Sequence, residues 1–373
     1  MGIKDLSKFL RGKCPHIYKE AHLSEFRYKK GAVDISLYIF KYYAIFGEHG
    51  WISAFLNLIA CLRRNDIHAC FIYDTKAPEE KNGERQARRD KRDKLDERIS
   101  ELVMALEKAK QMLVFDPILV ELMKKKKGNE SAVSEKRKRL LARPCGNSNL
   151  QQKEETLEIS MNLEEVEMEV ERIKKQSVRI QSDDIDITKE IFTHLGVPFF
   201  HAPWEAETTC ADLCKEGKVD CVISEDSDVL AYGAPFVITK INTHADTCFF
   251  IEYKDVLEAL ELSANEFLDF CIMCGTDYNK NIPKIGCETA YKLIRKYKSI
   301  EAIRDMEKIN VDILNHTRVR QIFTQYEKMK ENIPFCSPPD FDALRKLAQE
   351  KHIRFSIQKL EKDLETELQF LEE

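Results

Sequence analysis

Seven carboxylates stand in five short contexts along the chain: AVD ending at Asp34, IYD ending at Asp74, WEAE with Glu205 and Glu207, SEDSD with Asp226 and Asp228, and CGTDY with Asp277. Oxygen ligands of this kind suit hard divalent cations such as Mg²⁺. The residues before Asp34, Asp74 and Asp226 include short, apolar, β-prone runs (AlaVal, CysPheIleTyr and CysValIle), as buried parallel strands do. A carboxylate just past each strand would lie at the carboxyl edge of a sheet, where open α/β folds place their sites. One such Asp by itself is ordinarily a helix cap or a turn residue. Seven in this arrangement are read as one site assembled from several elements.

The helices and strands that carry these carboxylates follow from the flanking patterns. Over residues 1–75 helix and strand alternate: a helix over Lys4–Leu10, a strand ending at Asp34, a helix through Tyr43, another over Trp51–Arg63, and a strand over His68–Asp74. The alternation resumes at 183, with a helix to Leu195 stopped by Gly196, a strand in ValProPhePhe and a helix over Glu205–Glu216. Gly217 ends that helix, and the strand ValAspCysValIle follows. PheValIleThrLys and ThrCysPhePheIle are two further β-like segments. From Val256 onward the pattern is helical, with a turn at Pro283 and Gly286. The fold class is α/β, a mostly parallel central sheet flanked by helices, followed by a helical C-terminal part.

Residues 76–181 differ in character. Leu95, Ile99, Leu102 and Leu106 form one stripe at helical spacing, and Leu163, Val166, Val170 and Ile173 form another. Basic runs at Lys124–Lys127 and Lys136–Arg139 and a polar segment at 143–147 lie between them. Two stripes joined by a polar turn predict a helical hairpin or arch inserted into the α/β core. A solvated coiled coil without function is the alternative. The insertion lies between Asp74 and Glu205, so its base is expected beside the carboxylates.

The chain has 373 residues, of which 43% are hydrophobic, enough for a sizeable core. No apolar run approaches the ~18 residues of a membrane span, the N-terminus lacks a signal-peptide core, and Leu6 breaks the myristoylation pattern after Gly2. The net charge of −5 averages over segregated runs and includes the acidic residues of the site itself. Twelve cysteines without a secretion signal suggest a reducing, intracellular compartment. Cys210 with Cys214 and Cys271 with Cys274 have ligand-like spacings, but both pairs lie in apolar helical stretches without a nearby His. They are read as core residues rather than zinc ligands.

At MGIKDLSKFL, GAVDIS, YDTKAPEEKNGERQARR, GVPFFHAPWEAET, ISEDSDVLAYG, CIMCGTDY and IPKIGCETAYKLI the chain resembles the flap endonuclease family of structure-specific 5′ nucleases, with eukaryotic, archaeal and viral members. The likeness spans most of the chain outside about 105–180 and the C-terminal tail. It implies a nuclease core at 1–75 and 182–255, a helical arch at 76–181, a helix–turn–helix duplex-binding region at 256–335 and a helical tail at 336–373. It also implies two Mg²⁺ ions, with Mn²⁺ able to substitute. Asp34, Asp74, Glu205 and Glu207 would serve one ion and Asp226, Asp228 and Asp277 the other, with sharing of ligands left open. Lys81 and Arg88 fall on the family's catalytic basic positions; seven residues, or two helical turns, separate them. DNA contacts are implied at Phe40, Glu205, Gly275, Asp277, Lys284 and Gly286, with K⁺ at the helix–turn–helix. For Phe40, base stacking and core packing both stay open.

The implied activity is Mg²⁺-dependent 5′ flap endonuclease and 5′→3′ exonuclease cleavage in replication or repair. Its substrates would be DNA with 5′ flaps, nicks or gaps, cut by a monomer in the nucleus or at a viral replication site. A related exonuclease or junction resolvase, or a non-catalytic nucleic-acid-binding scaffold, are the alternatives. The chain departs from the family pattern in four places. Its arch region is longer, and Gly47 and Leu58 occupy the places of basic wedge residues. Cys287, Glu288 and Thr289 follow Gly286 where basic residues are usual. The ending LETELQFLEE carries no recognisable sliding-clamp box.

Overall fold

The computed structural model describes residues 2–48, 50–112, 114–127, 162–177, 179–353 and 355–365. The chain forms two compact units, Met1–Ala87 with Arg179–Glu373, and Arg88–Val178.

The first unit is built on a seven-stranded sheet: β1 (Lys19–His22), β2 (Lys30–Asp34), β3 (His68–Tyr73), β4 (Phe199–His201), β5 (Cys221–Ile223), β6 (Phe236–Asn242) and β7 (Thr247–Glu252), in spatial order β1-β7-β6-β5-β2-β3-β4. From β6 to β4 every neighbouring pair is parallel, so β5, β2, β3 and β4 end at one edge. β7 is antiparallel to both β6 and β1. Alternate residues enter opposite faces, as the pleat requires. Ala32, Cys70, Ile72 and Val222 join one buried cluster, while Val33, Phe71, Tyr73 and Ile223 join another.

The helices are α1 (Leu6–Lys13), α2 (Ile35–Phe46), α3 (Trp51–Arg64), α4 (Asn82–Met112), α5 (117–127), α6 (Leu163–Lys174), α7 (Ser182–His194), α8 (Ala206–Lys215), α9 (Asp228–Ala231), α10 (Tyr253–Leu260), α11 (Ala264–Cys274), α12 (Cys287–Tyr297), α13 (Ile300–Glu307), α14 (His316–Thr324), α15 (Phe341–Glu350) and α16 (Ile357–Glu365). α2, α3, α7, α15 and α16 cover the Phe71 face, where the Phe71 and Phe192 rings stack 4.4 Å apart. Truncating either ring to Ala would cost about 3–5 kcal/mol. Residues of α1, α8 and α10–α14 lie in the other cluster. Cys210, Cys214, Cys271 and Cys274 are buried there, and burial pushes their thiols up, as befits core packing.

Three elements differ from the sequence expectation. β1 is not legible in the sequence, because KEAH buries only Ala21 and its pairing is an edge interaction with β7. β4 starts at Phe199 rather than Val197: Pro198 has no N–H, and its carbonyl alone joins the ladder by accepting from the Phe71 N–H. The first helix starts at Leu6 because Asp5 is left-handed, with φ 56°.

The second unit has its own small core. Leu102, Leu106 and Ala109 of α4 meet Val166, Val170 and Ile173 of α6, as the two stripes predict. A third segment, α5, completes the core with Leu119, Leu122 and Met123, so a simple hairpin is not what forms. Lys124–Lys127 lie on α5, whereas Lys136–Arg139 and the polar segment at 143–147 lie outside the described residues. No described helix is long and apolar enough to cross a membrane.

Candidate metal centre

The carboxyl edge of β5, β2, β3 and β4 carries six of the seven acidic residues, and Asp277 follows α11. Asp34 closes β2 and caps α2, its Oδ1 accepting from the Ser36 N–H at 2.9 Å. Asp74, one residue past β3, accepts from the Ser36 hydroxyl at 2.7 Å and from the Ala206 N–H at 2.8 Å. It thereby fastens the start of α2 to the start of α8. Glu205 is the N-cap residue of α8, and Glu207 lies in its first turn; both are buried. Asp226 and Asp228 follow β5. The Ser224 hydroxyl accepts from the Asp226 N–H, and Asp226 Oδ1 accepts from the Asp228 N–H.

One oxygen each from Glu207, Asp226 and Asp228 lies within 4.8 Å of the other two. They bring together one residue assigned by resemblance to the first ion and two assigned to the second. Burial and the neighbouring carboxylates push Glu207 and Asp228 well up. Burial, and then Asp74, do the same to Asp34. Burial also raises Asp226.

Lys81 answers part of this charge. Its ammonium pairs with Glu205, and lies 3.3 Å from Asp277 and 3.7 Å from Glu207. Burial pulls the ammonium down, but Glu207, Glu205 and Asp277 outweigh it and hold Lys81 well above its ordinary value. Lys81 sits in the 3₁₀ turn Glu79–Lys81 that precedes α4, rather than on the α-helix. Arg88 lies on α4 in the second unit.

Two features fit the centre to divalent cations. Glu207 Oε1 is buried without a hydrogen-bond partner, an arrangement costly unless something else meets the charge. The backbone of Gly2 passes so close that a Cβ there would stand 1.9 Å from Asp226 Oδ1, and φ is +87°. Only glycine leaves the acidic pocket this room. The adjoining Ile3 N–H donates to Asp228 Oδ1 at 2.6 Å.

Several supporting residues are not apparent from sequence. Tyr278 donates to Glu205 Oε2, and its hydroxyl lies 2.6 Å from that of Tyr232, which is 46 residues away. Adjacency to Asp277 in CGTDY is the one available signal. Of the remaining expected residues, Phe40 is on α2 and 37% exposed. Gly275 ends α11 with φ +94°, and its carbonyl accepts from the Lys4 N–H. Lys284 has φ +66°, and Gly286 is the N-cap residue of α12. These last three lie on the turn between α11 and α12.

Comparison with known proteins agrees with this architecture. The XPG N-terminal domain matches residues 1–95 and the XPG I-region matches 196–277. A probable RAD2-like endonuclease, 369L of Invertebrate iridescent virus 6, is 32% identical over 350 residues, covering 87% of this chain and 80% of its own length. Flap endonuclease 1 of Ostreococcus lucimarinus is 28% identical over 84% of this chain and 69% of its own length. The catalytic core of Rad2 in complex with DNA substrate shares the fold, with a TM-score of 0.64 at 17% identity over 97% of this chain and 99% of that one. The flap endonuclease-1 of Methanococcus jannaschii aligns with a TM-score of 0.58 at 20% identity, over 93% and 95% of the two chains. Fold and relatives together define a structure-specific DNA nuclease. The chain belongs to the XPG/RAD2 family of flap endonuclease-like enzymes.

Proposed function

We propose that this nuclease is a Mg²⁺-dependent 5′ flap endonuclease with accompanying 5′→3′ exonuclease activity, acting in DNA replication or repair. The observation that carries the metal dependence is the convergence of Glu207, Asp226 and Asp228, with one buried oxygen of Glu207 accepting no hydrogen bond. Two divalent ions held by the seven carboxylates would supply an activated water and offset charge on the leaving oxygen; Mn²⁺ can take their place.

The chain's own groups do the rest. Asp74 and Ser36 hold the starts of α2 and α8 in register, so Asp34, Glu205 and Glu207 keep fixed positions. Tyr278 orients Glu205. Lys81 neutralises Glu205 and Asp277 while the site is empty of DNA, and with Arg88 it turns to the scissile phosphate, where a cation stabilises developing charge. Phe40 stacks on the terminal base pair, and its partial exposure supports that role. The α11–α12 turn, with Gly275, Lys284 and Gly286, grips the downstream duplex through the α12 N-terminus, with K⁺ as its candidate ion. The second unit receives the single-stranded 5′ end. The enzyme works as a monomer, in the nucleus or at a viral replication site.

The test is cleavage of matched flap, gapped, nicked and four-way-junction DNAs with Mg²⁺. Preferred cutting near the base of a 5′ flap supports the reading; preferred symmetric cutting of the four-way junction would replace it with a resolvase. In the same assay Lys81→Ala and Arg88→Ala should reduce single-turnover cleavage more than binding. Loss of affinity alone would make them ordinary backbone-binding residues.

A further inference from the structure

Beside the carboxylate edge, and wholly within the first unit, lies a cleft of about 640 Å³ between the 78–80 turn, the start of α8, Tyr232 and α14 with the residues after it. That size falls within the ~300–1,000 Å³ of small-ligand sites. Its walls include three aromatic side chains, Trp204, Tyr232 and Tyr326, together with Ile322. Their rings are held by neighbouring side chains. Tyr232 packs on Phe323 at 4.6 Å, the Tyr326 hydroxyl donates to Asp212 at 3.2 Å and accepts from Lys215, and the Lys76 ammonium stands 4.1 Å from the Trp204 ring centre. Glu205 is part of the same wall, so the cleft adjoins the metal centre.

The polar groups of the cleft decide what can enter. Glu79, Glu80, Glu205 and Glu327 face it against a single guanidinium, Arg318, and Arg318 is already paired with Glu80 Oε1 at 2.6 Å. An excess of carboxylates repels a phosphate. The second oxygen of Glu80 is buried and accepts no hydrogen bond. A ligand that satisfies these walls is flat and aromatic, carries no negative charge where it enters, and brings an N–H donor. These are the properties of a nucleobase with an exocyclic amine: adenine, cytosine or guanine.

We propose that this cleft is a nucleobase pocket that takes one unpaired base of the substrate strand next to the scissile phosphate, with Trp204 and Tyr326 providing stacking surface and the Glu80 side chain turning so that its enclosed Oε2 accepts from the exocyclic amine. The inference rests on the nuclease reading and adds to it a preference for amine-bearing bases over thymine at one position. Phosphates would stay outside the cleft, on the Lys76 and Lys81 side.

The experiment places 2-aminopurine at successive unpaired positions of a flap substrate, with Ca²⁺ in place of Mg²⁺ so that binding is read without cleavage. One position should be quenched on binding. Tyr326→Leu should abolish that quench and weaken flap binding about tenfold, the scale of removing one base stack, and Tyr326→Phe should retain both. Thymine at that position should bind several-fold more weakly than cytosine, and Glu80→Gln should erase the difference. Free dAMP that competes away the quench supports the same pocket. Binding of free dAMP without any position-specific quench on the strand overturns the strand assignment in favour of a mononucleotide site. If flaps are cut normally but no position is quenched, the pocket fails while the nuclease reading stands. If no DNA is bound or cut, the nuclease reading itself fails.

Discussion

Two carboxylate clusters in the first unit differ in how their charge is met. Around α14, Asp269 is 4% exposed, yet both its oxygens accept from the Arg320 guanidinium at 2.6 Å, and the Ile300 N–H adds a third bond. Arg320 also reaches Glu301. At the sheet edge, Glu207 and Asp228 are similarly withdrawn from water but share Lys81 with their neighbours, and Glu207 Oε1, 3.7 Å from that ammonium, accepts no hydrogen bond. The first cluster carries its own counter-charge and is structural. The second holds surplus negative charge that the fold itself does not neutralise, the condition under which an external cation binds. Burial alone does not mark the functional site; the deficit of partners does.

The strongest test of this contrast is Asp226→Asn, which keeps shape and removes one charge from the unbalanced cluster. Cleavage should fall roughly 10²-fold or more, the scale of losing an electrostatic stabiliser, while DNA binding survives. Near-normal turnover at saturating Mg²⁺ would sink the assignment.

Arg320→Met removes the counter-charge of the balanced cluster. Leaving Asp269 buried and unpaired should cost about 2 kcal/mol, below the ~3–5 kcal/mol of a fully enclosed pair because Arg320 is partly exposed. Denaturant unfolding checks this, and cleavage per folded molecule should be unchanged. The Arg320 hydrogen bonds pull Glu301 down to about 2. A depressed folded value means its contribution is present above the unfolded carboxylate range near pH ~4 and is lost as pH falls toward 2. The wild-type advantage over Arg320→Met should therefore shrink in acid.

The sheet-edge cluster should show the opposite sign. Burial raises Asp34, Glu207, Asp226 and Asp228, so the native state retains protons that the unfolded chain has released. Metal-free stability from these groups falls as pH rises above ~4. Asp226→Asn escapes part of that penalty. Without metal it should melt above wild type, by a margin that widens with pH and closes when Mg²⁺ binds. A variant that melts lower at every pH would show that Asp226 is paired after all.

The smallest effect concerns the basic run on α5 of the second unit. Lys124 and Lys125 lie on the exposed side of α5. Replacing Lys124–Lys127 with Ala should weaken flap DNA more than blunt duplex, and lower the salt slope of binding by roughly one unit for each phosphate no longer neutralised. Equal affinity with an unchanged slope would assign these residues to solubility or transport signalling.

Local features were legible in the order of residues. Apolar runs placed Asp34, Asp74 and Asp226 at strand ends, Gly196 and Gly217 marked helix stops, and the stripes on α4 and α6 paired as their spacing required. Each of these signals is carried by side-chain period or backbone conformation within a dozen residues. Which carboxylates are balanced emerges from contacts between distant segments. Asp269 and Arg320 are 51 residues apart, Lys81 and Glu205 are 124 apart, and Ile3 and Asp228 are 225 apart. β1 became a strand only because β7 offered it an edge. The cleft of Trp204, Tyr232 and Tyr326 had no sequence signal either, because its walls come from separate segments that meet only in the folded chain. Charge balance and cavity shape are sums over neighbours in space, and the order of residues along the chain does not contain those sums.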